Sequence, residues 1–190
     1  EVEREGKAIR DEGIRHIIIL TGESRAATPP EYIADCTRIL KKYVDSIVIE
    51  VYSLEEDEYK MLFDAGVDGF TMFQETYNED LYPTLHPSGP KHDYRKRLDS
   101  PELACMAGYN TVNLGSLLGL DDCRKETFLT GMHAAYQMEK YPGTDCAVSL
   151  PRIRPCVGEG NYHPACDVDD TAIVQAMTAY RCFVPRLGIT

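Results

Sequence analysis

No apolar stretch in this chain approaches the ~20 residues that a membrane-crossing helix needs, so a membrane role is not expected. No signal peptide opens it either: Glu1-Val2-Glu3-Arg4-Glu5 reads as the flank of a helix already under way. Positive charge is scarce, with 20 Lys and Arg against 31 Asp and Glu and a net charge of −11. The only dense basic run, Arg95-Lys96-Arg97, is too short to track a phosphate backbone. That argues against nucleic acid and for a solvated acidic surface. None of the seven cysteines forms a C-x-x-C pair. An odd count without such pairs suits neither a disulfide framework nor a zinc ribbon, so reduced, mostly buried thiols of a cytoplasmic protein are expected. Cys156 and Cys166 flank a loop from Gly158 to Pro164, but only His163 joins them, too thin a ligand set for a metal.

What is present is a repeated unit. A helical segment closes on glycine and an apolar strand follows, at Asp11-Glu12-Gly13, Asp64-Ala65-Gly66 and Met106-Ala107-Gly108. The strands are predicted at His16–Leu20, Ser46–Val51, Gly69–Phe73, Thr111–Leu114 and Ala147–Leu150, with a sixth beginning at Leu187–Thr190. Runs apolar on both faces suit a parallel sheet covered by helices. Thr28-Pro29-Pro30-Glu31 and Ser53-Leu54-Glu55-Glu56 have capping-box form and mark helix starts. Asp121-Asp122 precedes a further helix, whose Phe128, Met132 and Tyr136 share one side and are assigned to the core. Alternating strands and helices mean α/β with parallel strands. No G-x-G-x-x-G follows any strand, so a (βα) TIM-like barrel is preferred to a doubly wound sheet, as one domain over residues 1–190.

Barrels of this kind carry their chemistry at the C-terminal ends of the strands. The first strand runs into Thr21-Gly22-Glu23, where Glu23 offers a carboxylate able to hold an ammonium group. The third ends Gln74-Glu75-Thr76-Tyr77, four polar side chains directly after an apolar strand; this suits a hydroxyl-rich ligand such as ribose, or a self-satisfied rim. Gly115 and Gly119 after the fourth strand let backbone lie against something planar, either an adenine ring or a packed neighbour. The fifth ends Ser149-Leu150-Pro151-Arg152-Ile153-Arg154. There Arg152 and Arg154 face the same way on extended chain and could grip a carboxylate or a rim acid.

In this order the segments resemble the radical S-adenosylmethionine (SAM) superfamily. Thr21-Gly22-Glu23 resembles its Gly-Gly-Glu motif, and Gly115–Gly119 its glycine-bearing adenine-contact strand. Tyr94-Arg95-Lys96-Arg97-Leu98-Asp99 is similar to a segment whose final arginine reaches SAM. Within the superfamily, Phe73–Tyr77, Gly89–Tyr94, Leu114–Asp122 and Ser149–Pro155 together resemble the tyrosine lyases, the thiamine-pathway branch above the hydrogenase-maturation branch. The resemblance implies a lyase that uses SAM and a 4Fe–4S cluster to generate a radical, takes hydrogen from tyrosine and breaks its Cα–Cβ bond. The products would be dehydroglycine, passed to a thiazole synthase, and p-cresol; the electron donor would be of flavodoxin or ferredoxin type. It further implies that Gly22 and Glu23 meet the SAM amino group, and that Gln74, Glu75 and Thr76 lie near the ribose. Arg97 would reach the SAM carboxylate or ribose, Gly115 and Gly119 the adenine, and Arg152, Arg154 and Ser149 the tyrosine. The family's C-x-x-x-C-x-x-C cluster loop does not occur here. A partial barrel, incomplete at both ends, with no cluster, no lyase activity of its own and two exposed sheet edges prone to self-association is therefore expected. The remaining alternative is a non-catalytic barrel binding an anionic metabolite or a partner.

Overall fold

A computed structural model describes residues 1–154 and 163–190 of the protein. The element order is α1 (Val2–Asp11), β1 (His16–Leu20), α2 (Pro30–Leu40), β2 (Ser46–Glu50), α3 (Glu56–Ala65), β3 (Gly69–Glu75), α4 (Tyr82–Leu85), α5 (Tyr94–Ala107), β4 (Thr111–Ser116), α6 (Cys123–Lys140), β5 (Asp145–Ser149), α7 (Asp170–Phe183) and β6 (Gly188–Ile189). Strand order in the sheet is β1-β2-β3-β4-β5-β6. His16 to Leu20 lie opposite Ser46 to Glu50, Val48 opposite Gly69, and Ala147 opposite Gly188, all in parallel register. The α/β class and the parallel strands expected from the sequence are what the chain adopts. Two compact units comprise residues 1–72 with 88–112, and residues 73–87 with 113–190.

In the first unit the glycines at helix ends do what their chemistry predicts. Gly66 and Gly108 cap α3 and α5 at φ of 109° and 100°, in the left-handed region that a Cβ disfavours. The core is built on β2, whose Ile47 and Ile49 are fully buried, and on Tyr59, which meets the Phe70 and Tyr109 rings edge-on at 5.2 and 6.1 Å. The helix starts differ from the sequence reading. Thr28 donates its hydroxyl to the Ser24 carbonyl and leaves Pro29 as the N-cap of α2, because proline presets the dihedral and needs no donor there. The capping box of α3 is formed by Glu55 and Glu58, two residues beyond the expected Ser53. β1 packs the half-buried Ile17 and Ile19 against Leu40, Val44 and Ile47, but Ile18 and Leu20 on its other face are exposed, so it is not apolar-covered on both sides.

In the second unit α6 overturns an expectation. Phe128, Met132 and Tyr136 are 62%, 45% and 45% exposed and are not core. The helix buries Glu126, Thr130, Gly131, Ala134 and Gln137 instead. A polar, small-residue face turns inward because its neighbours there are polar too: Thr76, Tyr77 and Ser116 all bond to it. Gly131 sits where a Cβ would come within 3.1 Å of the Tyr180 ring of α7. The thiols also need correction. Cys123 and Cys166 are paired as a disulfide with Cα atoms 6.4 Å apart, tying the start of α6 to the segment ahead of α7. Cys36, Cys105 and Cys146 are buried and outside any disulfide, as expected, while Cys182 is exposed. Cys156 lies outside the described residues.

Candidate functional site

At the end of β1 the chain passes through an exposed Gly22 to Glu23. α5, started by the Asp93 side chain accepting from the Lys96 amide, carries Arg97 one turn in. Arg97 is 6% exposed, and its Nη1 donates to Glu23 Oε1 at 3.4 Å; Lys91 Nζ approaches the same oxygen at 3.9 Å. The other carboxylate oxygen, Oε2, and the neighbouring Thr21 Oγ1 are buried with no hydrogen-bond partner. A buried acceptor without a donor is costly, of order 1–3 kcal/mol, and an anion flanked by two cations with acceptors left over is the chemistry that an amino acid's ammonium and carboxylate would satisfy. Glu23 and Arg97, singled out separately in the sequence, are thus brought together; Lys91 was quoted there only as part of the Gly89–Tyr94 segment, with no role.

At the end of β3, Gln74, Glu75 and Thr76 are buried. Glu75 has φ of 71°, a left-handed conformation that costs a side-chain-bearing residue of order 1 kcal/mol or more. Its carbonyl accepts from the Leu117 amide at 2.8 Å. Thr76 does not present a free hydroxyl. It donates to Glu126 Oε1 at 2.7 Å and accepts from the Asn78 amide at 3.0 Å. The Tyr77 amide donates to both Glu126 oxygens, at 2.9 and 3.1 Å, and the Tyr77 hydroxyl meets His133 Nδ1 at 2.9 Å. Glu126 is fully buried. Burial is the largest influence on its carboxyl and pushes its pKa up, opposed by the Thr76 and Tyr77 donors. The Asn78 amide group donates to Asp121 Oδ2 at 2.7 Å, which holds that carboxyl below the usual carboxylate range.

At the end of β4, Gly115 is buried where a Cβ would lie 2.9 Å from both the Ser149 carbonyl oxygen and Phe73 Cδ1. Its lack of a side chain is explained by strand and ring packing. Gly119 has φ of 110° and faces Ile153. Beyond β5 the backbone at Arg152 bridges to Leu118. The Arg152 guanidinium donates to the Val168 carbonyl at 2.8 Å and to Asp170 Oδ1 at 2.5 Å, and the first of those bonds fixes the approach to α7. Arg154 is exposed. Ser149 accepts from Asn113 Nδ2 at 2.7 Å and shares a 2.6 Å bond with Thr190, leaving Asn113 Oδ1 buried and unpartnered. Glu126, His133 and Asn113 were not found from the sequence. The signal available for Glu126 was the small and polar stripe Glu126, Thr130, Ala134, spaced like one helix face.

No helix among the described residues is long and apolar enough to cross a membrane. Among curated proteins, the chain is 34% identical over 191 residues to a 2-iminoacetate synthase of Escherichia coli strain K12, with all of this chain and 50% of that protein covered. The chain therefore spans about half the length of the curated relatives it matches. Among solved structures, it superposes with a TM-score of 0.89 and 31% identity on HydG, a maturase of the [FeFe]-hydrogenase, over all of this chain and 43% of that one. It superposes with a TM-score of 0.77 on methylornithine synthase over all of this chain and 53% of that one; at 19% identity that likeness speaks to the fold. The model of the Radical SAM superfamily, whose members use SAM and a 4Fe–4S cluster, matches residues 1–130. By this match over more than half of its length, the chain belongs to the radical SAM superfamily.

Proposed function

We propose that this chain carries SAM- and tyrosine-recognising strands of a radical SAM tyrosine lyase, which breaks the tyrosine Cα–Cβ bond to release p-cresol and dehydroglycine for the thiazole of thiamine. The observation that carries the reading is the Glu23 carboxylate, which faces Arg97 and Lys91 through one oxygen while the other is buried without a donor. That set fits the amino-acid end of SAM. Glu23 and Gly22 take the ammonium side, and Arg97 with Lys91 the carboxylate side. Gln74 and Glu75 take the ribose, Thr76 serving the same site by fixing their turn, and the backbone at Gly115 and Gly119 borders the adenine. Bound SAM supplies the radical that initiates cleavage; the residues named here bind and orient. Arg152 and Arg154, with Ser149, receive the tyrosine carboxylate. Asp170 is 91% exposed, and so weak a surface partner can be exchanged for a substrate. Among the described residues no three His, Cys, Asp or Glu side chains could hold one metal ion, so the 4Fe–4S cluster does not fit them and no step is assigned through it. The electron donor is of flavodoxin or ferredoxin type, the acceptor of dehydroglycine a thiazole synthase, and the compartment the cytoplasm.

The likeness to HydG supports a second branch, in which the same tyrosine cleavage serves hydrogenase maturation. The likeness to 2-iminoacetate synthase at 34% identity favours the thiamine branch. Calorimetric titration tests the shared core of both. Glu23→Gln should weaken SAM binding about tenfold, the loss of one charge-assisted contact. It should leave unchanged the affinity for 5′-methylthioadenosine, the same nucleoside without the amino-acid group. Arg152→Ala should abolish tyrosine binding and spare SAM. A wild-type chain that binds no SAM, or a Glu23→Gln chain that loses both nucleosides equally, refutes the reading.

A further inference from the structure

We propose that Glu126, on α6, is the positioning residue that holds the turn after β3 in shape for nucleoside recognition, although it touches no ligand itself. The proposal rests on the reading above that Gln74 and Glu75 meet the nucleoside. Three observations converge on it. Glu75 adopts a left-handed conformation that only the surrounding structure can maintain, since its side chain disfavours it. The two residues that follow are both gripped by one carboxylate: the Thr76 hydroxyl at 2.7 Å, and the Tyr77 amide at 2.9 and 3.1 Å. That carboxylate is fully buried, where an acid is costly unless it satisfies donors, and the donors it satisfies are those of this turn.

The grip extends along α6. Near its start, Asp121 accepts from the Asn78 side chain, whose carbonyl in turn accepts from the Leu81 amide. About two turns beyond Glu126, His133 meets the Tyr77 hydroxyl. Thr76 and Tyr77 are thereby fastened to α6, and Asn78 to Asp121 just ahead of it. Such fastening keeps a binding group within the small positional tolerance that recognition demands.

The test uses Glu126→Gln, which preserves volume but offers one acceptor and one donor where two acceptors stood, so the chain keeps its packing. Two quantities are measured: amide hydrogen exchange across residues 75–78, and SAM affinity by titration. Exchange at Tyr77 should rise about tenfold and SAM affinity should fall about tenfold, the effect of one charge-assisted bond. In a Glu75→Gly background, where glycine occupies the left-handed region without cost, the same Glu126→Gln change should lower affinity by less than half as many fold. Unchanged exchange at Tyr77 overturns the proposal. So does loosened exchange with wild-type SAM affinity, which would make Glu126 a structural residue only. A wild-type chain that binds no SAM sinks the parent reading, and this proposal with it, and the exchange result then distinguishes the two failures.

Discussion

Replacing Gly115 by alanine separates two accounts of that residue. Gly115 is the glycine of β4 that the family resemblance puts at the adenine, yet its surroundings are protein. An added Cβ would come within 2.9 Å of the Ser149 carbonyl oxygen and 2.9 Å of Phe73 Cδ1, with Phe73 Cε1 at 3.2 Å. Real Cβ atoms essentially never approach this closely, and the oxygen is backbone, so it cannot swing aside as a side-chain tip can. Either the backbone at Gly115 and Ser149 separates or the Phe73 ring leaves its rotamer. Overpacking of this kind costs about 1–3 kcal/mol. With a urea slope of roughly 2–3 kcal/mol/M for a chain of this size, the unfolding midpoint of Gly115→Ala should fall by about 0.3–1.5 M, at unchanged slope, in circular dichroism titrations. Gly143→Ala is the control, because a Cβ there meets nothing within 4 Å. If Gly115→Ala melted with the control while SAM binding collapsed, the glycine would be facing ligand and the packing argument would be wrong.

Three further outcomes are expected. Gly69→Ala, in the first unit, should destabilise by a similar ~1–3 kcal/mol, because its Cβ would lie 2.0 Å from Thr111 Oγ1 and 3.2 Å from the Thr111 carbonyl; an unshifted urea midpoint would refute this. Glu126 should give the stability of the protein a pH dependence that Glu126→Gln lacks. Its folded pKa is raised, so the folded state keeps a proton that the unfolded state has lost, and its stabilising contribution is present below the ordinary glutamate value of 4.5 and lost as pH rises through the raised one. Asp121 adds to that shift and Lys125 opposes it. Urea midpoints of the two proteins measured from pH 4.5 upward should therefore converge or cross; parallel curves would count against the assignment. Finally, Thr76→Val should loosen the turn after β3 and weaken SAM binding less than Glu126→Gln does, because Tyr77 keeps its bond; equal losses would place Thr76 against the ligand.

The parts of this protein legible in the sequence are those set by local chemistry. Glycine after a helix takes the left-handed cap whatever the rest of the chain does, so Gly66 and Gly108 marked the ends of α3 and α5 correctly. Short β-branched runs ahead of Gly66 announced β1 and β2, and β1 matched residue for residue. The order of polar residues after strands carried the family, because that order is a property of the chain itself. Tertiary structure alone decided which face of α6 is inside. An apolar stripe predicts burial only when the opposing surface is apolar, and here the opposing surface is the polar turn after β3, so Glu126 and Thr130 are buried and Phe128 is exposed. It also decided that Arg97 and Glu23, distant in sequence, form one pair, and that Arg152 reaches Asp170. Residue spacing constrains neighbours along one element, whereas partners across elements are chosen by the packing that closes around them.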